Sequence, residues 1–188
     1  MGCIKSKVKI RKSLPDADMQ YLKRVTRYDE KHIQDLYDNF RQDCPNERFT
    51  QEQFIDMYQS FFPSGNVKEF CEQVFRTFDT DKDGFINFKE FLFGMHVTSA
   101  ETPEEKLRWA FKLYDVNGNG IIQRAEMTRI IIAIYDMLGL TDSATERATN
   151  IFTAIDENGD GYINEKEFIR GCLQDEELAK TLAPNLVR

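Results

Sequence analysis

DTDKDGFINFKE (Asp79–Glu90), DVNGNGIIQRAE (Asp115–Glu126) and DENGDGYINEKE (Asp156–Glu167) are three copies of one twelve-residue pattern. Asp stands first in every copy, Asp or Asn third and fifth, Gly sixth, Ile eighth and Glu twelfth. These are the residue types that a loop needs in order to wrap oxygen atoms around a metal ion. Because the pattern recurs three times between amphipathic segments, we interpret it as a repeated metal-binding unit and not as a solvated acidic stretch.

Oxygen donors at these spacings are typical of a Ca²⁺ site. Ca²⁺ is a hard cation that takes about six to eight oxygens, from positions one, three and five, the carbonyl at seven and a bidentate Glu at twelve. We expect three Ca²⁺ ions, with Mg²⁺ in some of the sites when Ca²⁺ is low. The predicted ligands are Asp79, Asp81, Asp83, Phe85 and Glu90 in the first copy, Asp115, Asn117, Asn119, Ile121 and Glu126 in the second, and Asp156, Asn158, Asp160, Tyr162 and Glu167 in the third.

A degenerate fourth copy precedes these three. Each loop with its flanking helices is one EF-hand, and because EF-hands form pairs, three loops predict another. QDCPNERFTQEQ (Gln42–Gln53) lies at the right distance and keeps Phe49 at the inward-facing eighth position. It has Cys44 at position three, Pro45 at four and the neutral Gln53 at twelve, so we predict that it binds no metal. We number the loops 1 to 4 in chain order.

The charge of the ligands ranks the three complete loops. Loop 2 has four acidic ligands, loop 4 has three, and loop 3 has Asp115 and Glu126 alone. Affinity rises with ligand charge and with site rigidity, so we expect loop 3 to be the weakest site in isolation.

Composition restricts the class of protein. The chain has 188 residues and a net charge of −7, although Lys5, Lys7, Lys9, Arg11 and Lys12 make its beginning basic. An acidic body argues against nucleic acid as a partner. Neither a membrane-spanning run nor a secretory signal is predicted. The four cysteines are widely separated, which favours free thiols in an intracellular protein over zinc ligands or disulfides.

The first residues suggest a lipid anchor. Met1 to Ser6 match the N-myristoylation pattern with Gly2 as the acceptor, and Cys3 is a candidate for palmitoylation. One myristoyl chain binds a membrane only marginally, so a second acyl chain or the basic residues that follow are needed for stable attachment. We therefore expect the protein at the cytoplasmic face of membranes, lipid-anchored, with a cytosolic pool.

Several segments together resemble the neuronal calcium sensor family. The likeness covers nearly the whole chain from about Asp29 onward. The segments that carry it are Gly2, Cys44-Pro45, Phe61-Phe62-Pro63, EKLRWAFKLYD (Glu105–Asp115) and AIYDMLG (Ala133–Gly139).

The resemblance implies an all-α fold of two EF-hand pairs, with the first hand degenerate, packed as two lobes in one compact chain. The expected parts are an acylated basic arm and leading segment (1–28), an N-terminal pair (29–95), a hinge (96–104), a C-terminal pair (105–174) and a tail helix (175–188). It also implies a membrane target of the channel, guanylate cyclase, receptor or lipid kinase type, bound as an amphipathic helix in a hydrophobic groove. The candidate groove residues are Phe40, Phe54, Tyr58, Phe62, Phe75, Phe78, Phe91, Leu92 and Trp109.

Two features depart from the family pattern and leave questions open. The Met-Gly-Cys start with five basic residues before Ser13 favours constitutive anchoring over a reversible myristoyl switch. The pair Leu36-Tyr37 resembles sequences of the potassium-channel-interacting branch of the family. The segment DVNGNG in loop 3 instead resembles sequences of the guanylate-cyclase-activating branch. No branch is therefore assigned.

Three other functions are alternatives to a Ca²⁺ sensor. An enzyme is disfavoured, because the sequence has no phosphate-binding glycine loop, nucleophile elbow or His–Cys or His–Ser constellation. A Ca²⁺ buffer gains little from a membrane anchor, and its hands barely open on binding. A membrane adaptor that binds its target without Ca²⁺ is the third alternative.

Overall fold

The computed structural model describes residues 13–98, 102–140 and 143–182. These residues form ten helices and four short strands, which confirms the predicted all-α class with EF-hands. The elements are α1 (Asp16–Thr26), α2 (Glu30–Asp43), β1 (Phe49–Thr50), α3 (Gln51–Phe61), α4 (Lys68–Phe78), β2 (Phe85–Ile86), α5 (Phe88–Thr98), α6 (Pro103–Tyr114), β3 (Ile121–Gln123), α7 (Arg124–Leu138), α8 (Ala144–Ile155), β4 (Tyr162–Asn164), α9 (Glu165–Gln174) and α10 (Glu176–Leu182).

The chain falls into two compact units, residues 1–48 and residues 49–188. The division lies inside the first hand, after α2 and before β1. Of the predicted hinge, residues 99–101 lie outside the described residues, whereas α5 continues to Thr98 and α6 begins at Pro103. The predicted tail helix corresponds to α10, and residues 183–188 lie outside the described part.

The first unit contains a helix, α1, that lies within the predicted leading segment 1–28. Its signals are local: Asp16 and Asp18 lie in the first turn and Lys23 and Arg24 in the last, which suits the helix dipole. Met19, Leu22 and Thr26 form its buried face. The helix α2 that follows begins with a cap, because the Asp29 carboxylate accepts a hydrogen bond from the His32 amide at 2.8 Å.

In the second unit the loops meet in pairs through short antiparallel strands. Ile122 of β3 lies opposite Ile163 of β4, so that the eighth positions of loops 3 and 4 face each other. Phe49 of β1 lies opposite Ile86 of β2 in the same way. The three isoleucines have no exposed surface, so each strand pair ties two loops together over the apolar core.

The helices of the second unit pack on one continuous apolar core. Phe168 of α9 lies between Phe111 and Tyr114 of α6, with ring centroids 5.8 and 5.7 Å away. The Tyr114 side chain is fully buried, and its hydroxyl donates a hydrogen bond to the Leu182 carbonyl at 3.2 Å. Through Leu178 and Leu182, α10 therefore becomes part of the core.

Two capping-box motifs, Thr102-Pro103-Glu104-Glu105 and Ser143-Ala144-Thr145-Glu146, each predict the start of a helix, and the two caps have different outcomes. At α6 the Thr102 hydroxyl accepts from the Glu105 amide at 3.4 Å and Pro103 occupies the first turn, as expected. At α8 the expected cap is wrong, since the Ser143 side chain makes no capping hydrogen bond. Ser143 has φ 29° and ψ 36°, whereas an N-cap normally needs extended backbone to point its hydroxyl at the helix.

Among the described helices, none combines the length and the apolar character that crossing a bilayer requires.

Candidate functional site

Loop 2 connects α4 to α5 and gathers three carboxylates. The helix ends as the Asp79 amide donates to the Phe75 carbonyl at 2.9 Å, which sends the chain into the loop. One oxygen of Asp79 accepts from the Asp83 amide at 3.1 Å and the other from the Gly84 amide at 3.0 Å. Ligand oxygens of Asp79, Asp81 and Asp83 all lie within 4.8 Å of one another. Three carboxylates so close repel one another, and a divalent cation would remove that repulsion.

Glu90 closes the same loop from the start of α5. Its Oε2 accepts from the Asn87 amide at 3.1 Å, and its Oε1 accepts from the Thr80 amide at 2.8 Å. The side chain is 6% exposed. One carboxylate therefore spans the loop from position nine to position two, with both oxygens on its inner side.

The charge balance of loop 2 is visible at Asp79. Burial raises the pKa of the Asp79 carboxyl, and the negative charges of Glu90 and Asp83 act in the same direction. Hydrogen bonds from the amides of Gly84 and Asp83 lower the pKa but do not cancel the rise. The loop therefore holds its first ligand in a position that disfavours the bare anion and favours a bound cation.

Loop 3 repeats this geometry with fewer charges. Asp115 accepts from the amides of Asn119 at 3.0 Å and Gly120 at 2.8 Å, and it is 7% exposed. Glu126 accepts from the Asn117 amide at 3.1 Å and from the Gln123 amide at 2.9 Å. The first and twelfth ligands are thus placed as in loop 2, while positions three and five carry amides in place of carboxylates.

Loop 4 contains an unsatisfied oxygen. Asp156 Oδ2 accepts from the Gly161 amide at 3.1 Å, but Asp156 Oδ1 is buried and has no hydrogen-bond partner. A buried carboxylate oxygen without a partner is costly unless a cation binds it. At the other end of the loop, Glu167 Oε2 accepts from the Asn164 amide at 3.0 Å. The donor set is oxygen throughout, so the residues present fit Ca²⁺.

The backbone of the three loops turns twice, and the glycine shared at position six predicts one of these turns. The sixth positions have the expected left-handed conformation, as at Gly84 with φ 84°. The fourth positions also have positive φ: 73° at Gly118, 69° at Gly159 and 60° at Lys82. A glycine at position four of loops 3 and 4 was the available signal, and loop 2 accepts the strain of a lysine there.

The residue at the ninth position of each loop caps the helix that follows. Asn164 accepts from the amides of Lys166 and Glu167 and so caps α9, while Glu167 accepts in return from the Asn164 amide. Asn87 and Gln123 do the same with the Glu at position twelve of their own loops. This is the capping-box arrangement, and it fixes the rotamer of the twelfth residue before any metal binds.

Loop 1 keeps parts of the loop framework without the acidic ligands. Thr50 and Gln53 form a capping box at the start of α3, in the positions that Asn164 and Glu167 take in loop 4. Glu47 has φ 58° at the sixth position, where glycine would be at no strain. Cys44 is 4% exposed. The framework and the missing carboxylates both agree with a structural role, which stays a prediction.

Some of the candidate groove residues are buried, and the others are partly exposed. Phe54 is the hub of the aromatic cluster in the second unit, with ring centroids 5.0 Å from Tyr58, 6.0 Å from Phe75 and 6.0 Å from Phe78. Phe40 belongs to α2 in the first unit and is buried there. In the second unit, the buried residues are Phe54, Phe75, Phe78 and Leu92, and the partly buried ones are Tyr58, Phe62, Phe91 and Trp109.

The predicted lipidation sites, Gly2 and Cys3, and the basic residues after them lie outside the described residues. The three described cysteines, Cys44, Cys71 and Cys172, are buried free thiols.

Known proteins are similar to this chain both in its loops and over most of its length. The EF-hand domain pair family matches residues 104–179, which contain loops 3 and 4. The EF hand domain family matches residues 70–98, which contain loop 2. Recoverin of Homo sapiens is 36% identical over an alignment of 173 residues that covers 87% of this chain and 86% of recoverin.

Proposed function

This chain belongs to the neuronal calcium sensor family of EF-hand proteins, and from that premise we propose that it is a lipid-anchored Ca²⁺ sensor that uses loops 2, 3 and 4 to regulate a membrane target. The observation that carries the proposal is the geometry common to the three loops. In each, the first Asp accepts from the amide at position six and the twelfth Glu from the amide at position nine. Two carboxylates are thus held at opposite ends of every loop.

The three loops take up one Ca²⁺ each, and loop 1 takes up none. The partnerless oxygen of Asp156 and the raised pKa of Asp79 support this, because a bound cation would remove both costs. The carbonyls of Phe85, Ile121 and Tyr162 supply the seventh position. Loop 3, with two acidic ligands, is the weakest site taken alone. Mg²⁺ occupies some sites when Ca²⁺ is low.

Ca²⁺ binding exposes an apolar groove in the second unit. In sensor hands the two helices swing apart on binding, whereas buffer hands barely move. In the second hand these helices are α4 and α5, and Gly94 of α5 packs against the ring of Phe78, which belongs to the aromatic cluster around Phe54. Separation of α5 from α4 would present these rings to an amphipathic helix of a membrane protein. The proposed target is a channel, a guanylate cyclase, a receptor or a lipid kinase. The protein itself is proposed to regulate this target without catalysing a reaction.

A lipid anchor and a basic arm place the protein at the membrane. Myristate on Gly2 gives marginal binding, and palmitate on Cys3 or attraction of Lys5 to Lys12 to an anionic leaflet makes it stable. Because palmitate and the basic residues can both strengthen the attachment, the lipid anchor stays in the membrane at low Ca²⁺. Ca²⁺ binding then controls the exposure of the groove and not the attachment to the membrane.

Two measurements test the proposal separately. Native mass spectrometry of the wild type should give three Ca²⁺ per chain, and Glu167→Gln should give two. Four ions, or an unchanged count in Glu167→Gln, would contradict the assignment of sites. Protein from eukaryotic cells should cosediment with vesicles that contain phosphatidylserine both with and without Ca²⁺, whereas Gly2→Ala should not. Cosedimentation of Gly2→Ala at the wild-type level would contradict the anchor.

A further inference from the structure

An arginine side chain of the second EF-hand makes hydrogen bonds with the third EF-hand. Arg76 lies in the last turn of α4, three residues before Asp79, the first ligand of loop 2. Its Nη1 donates to the carbonyl of Asp115, the first ligand of loop 3, at 3.3 Å. Its Nη2 donates to the carbonyls of Lys112 at 3.3 Å and Leu113 at 3.2 Å. One guanidinium thus joins the entry of loop 2 to the entry of loop 3.

The surrounding residues hold the Arg76 side chain in this position. The last carbonyls of a helix have no partner within the helix, and the negative end of the helix dipole attracts a cation there. Arg76 meets both needs at the end of α6. Gln73, which is 6% exposed, accepts from Arg76 Nε at 3.4 Å and orients the fork. Burial lowers the pKa of Arg76, while the charges of Asp115 and Glu126 act in the opposite direction.

These contacts lead to an inference that rests on the function proposed above. We propose that Arg76 is the positioning residue through which loops 2 and 3 sense each other's occupancy. Without metal, the two carboxylates of loop 3 attract the guanidinium and hold α4 against the end of α6. A bound Ca²⁺ cancels that charge and weakens the hold of Arg76. Because α4 must move when loop 2 opens, a filled loop 3 raises the affinity of loop 2. By linkage, a filled loop 2 raises the affinity of loop 3 by the same factor.

The same helices offer a matched control. Arg129 of α7 donates to the Glu69 carboxylate of α4 at 2.8 Å, so it also contributes one positive charge and one contact to α4. The carboxylate it binds belongs to no loop. Arg129→Met removes the same charge and a contact with the same helix as Arg76→Met, but it leaves the carbonyls of α6 and loop 3 untouched.

The test is a Ca²⁺ titration followed by NMR at the amide of Gly84, which donates to Asp79 and so reports loop 2. Loop 3 is disabled by the double variant Asn117→Ala/Asn119→Ala, which removes two uncharged ligands and leaves the charges of Asp115 and Glu126 in place. With Arg76 present, this double variant should weaken loop 2 by about fivefold or more. In Arg76→Met the effect of the double variant should fall below about twofold, whereas in Arg129→Met it should stay as in the wild type. Arg76→Lys, which keeps the charge without the fork, should restore part of the effect.

The outcomes separate the inference from the proposed function. If the Gly84 amide responds to Ca²⁺ but Arg76→Met keeps the full effect of disabling loop 3, or if the wild type shows no such effect, Arg76 is not the link. If Arg129→Met abolishes the effect as well, any positive charge next to α4 is sufficient, and the inference that Arg76 is the link is wrong. A Gly84 amide that ignores Ca²⁺ would contradict the proposed function itself. Circular dichroism of each variant shows whether it is folded.

Discussion

The ring of Phe78 fills the space in which any side chain at position 94 would have to lie. A methyl group on Gly94 would be 2.0 Å from Cε1 of Phe78, far inside contact distance. Gly94 belongs to α5 and Phe78 to α4, so the Phe78 ring packs directly on the backbone of α5. Phe78 continues the contact outward, since its ring lies edge-on to Trp109 of α6 at 5.9 Å between centroids.

Gly94→Ala should therefore destabilise the protein, although alanine favours helix more than glycine does. Overpacking costs about 1–3 kcal/mol and the gain in helix propensity is about 1 kcal/mol, so we expect a net loss of up to about 2 kcal/mol in the free energy of unfolding. Urea unfolding in the absence of Ca²⁺ measures it. Gly171→Ala is the control, because a methyl group there would lie 3.0 Å from the flexible end of Ile155 and should cost less. Equal effects of the two variants would argue against the close contact.

Replacing the twelfth residue of each loop should rank the sites. Glu90→Gln, Glu126→Gln and Glu167→Gln each remove one bidentate carboxylate, and the weakest site should be the one missing from Glu126→Gln. Calorimetric titration measures the affinities that remain. Gln53→Ala in loop 1 is the control and should leave the number of bound Ca²⁺ unchanged. Loss of the tightest site in Glu126→Gln would overturn the ranking by ligand charge.

Lys82→Gly should stabilise loop 2. Lys82 has φ 60°, a conformation that costs a side chain roughly 1 kcal/mol and costs glycine little. We expect a gain of about 0.5–1 kcal/mol in the free energy of unfolding of the Ca²⁺-free protein, measured by urea unfolding. Lys89→Gly, in the first turn of α5, removes the same charge from a helical position and should lose about 1 kcal/mol. A loss at both positions would show that the backbone at Lys82 is not strained.

The three buried thiols should resist alkylation in the folded protein. Burial raises the pKa of Cys71 and Cys172 to about 12 and also raises the pKa of Cys44. The thiolate is the reactive form, and at pH 8 a pKa of about 12 leaves roughly 10⁻⁴ of the thiol ionised. Iodoacetamide at pH 8, followed by peptide mass spectrometry, should modify these cysteines slowly, and faster as pH rises. Rates equal to those in guanidinium chloride would contradict their burial. Cys3, outside the described residues, is counted separately.

The features that could be predicted from the sequence depend on local patterns of residue types. The twelve-residue loops and the pairing of Ile122 with Ile163 follow from residue types at fixed spacings, which act over one loop and its partner. The Thr102 cap follows from a four-residue motif for the same reason. Ser143 has a similar motif, but its backbone has φ 29°, and no residue type in that motif announces such a conformation.

Contacts distant in sequence account for what could not be predicted. Arg76 reaches the Asp115 carbonyl across 39 positions, and nothing in the sequence near Arg76 marks it as a cap for another helix. The close approach of Gly94 to Phe78 likewise depends on the angle between two helices. The partnerless oxygen of Asp156 needs atomic burial to be recognised. The residues of the sites and the pairing of loops 3 and 4 were therefore foreseeable, whereas the link from Arg76 to loop 3 was not.

The central claim is that Ca²⁺ exposes apolar surface, and it is tested most directly by ANS fluorescence of the acylated protein during a Ca²⁺ titration in physiological Mg²⁺. We predict a rise in fluorescence between submicromolar and micromolar Ca²⁺, as expected for a sensor. A flat trace despite the binding of three Ca²⁺ would contradict the claim and would identify the protein as a buffer or a constitutive adaptor.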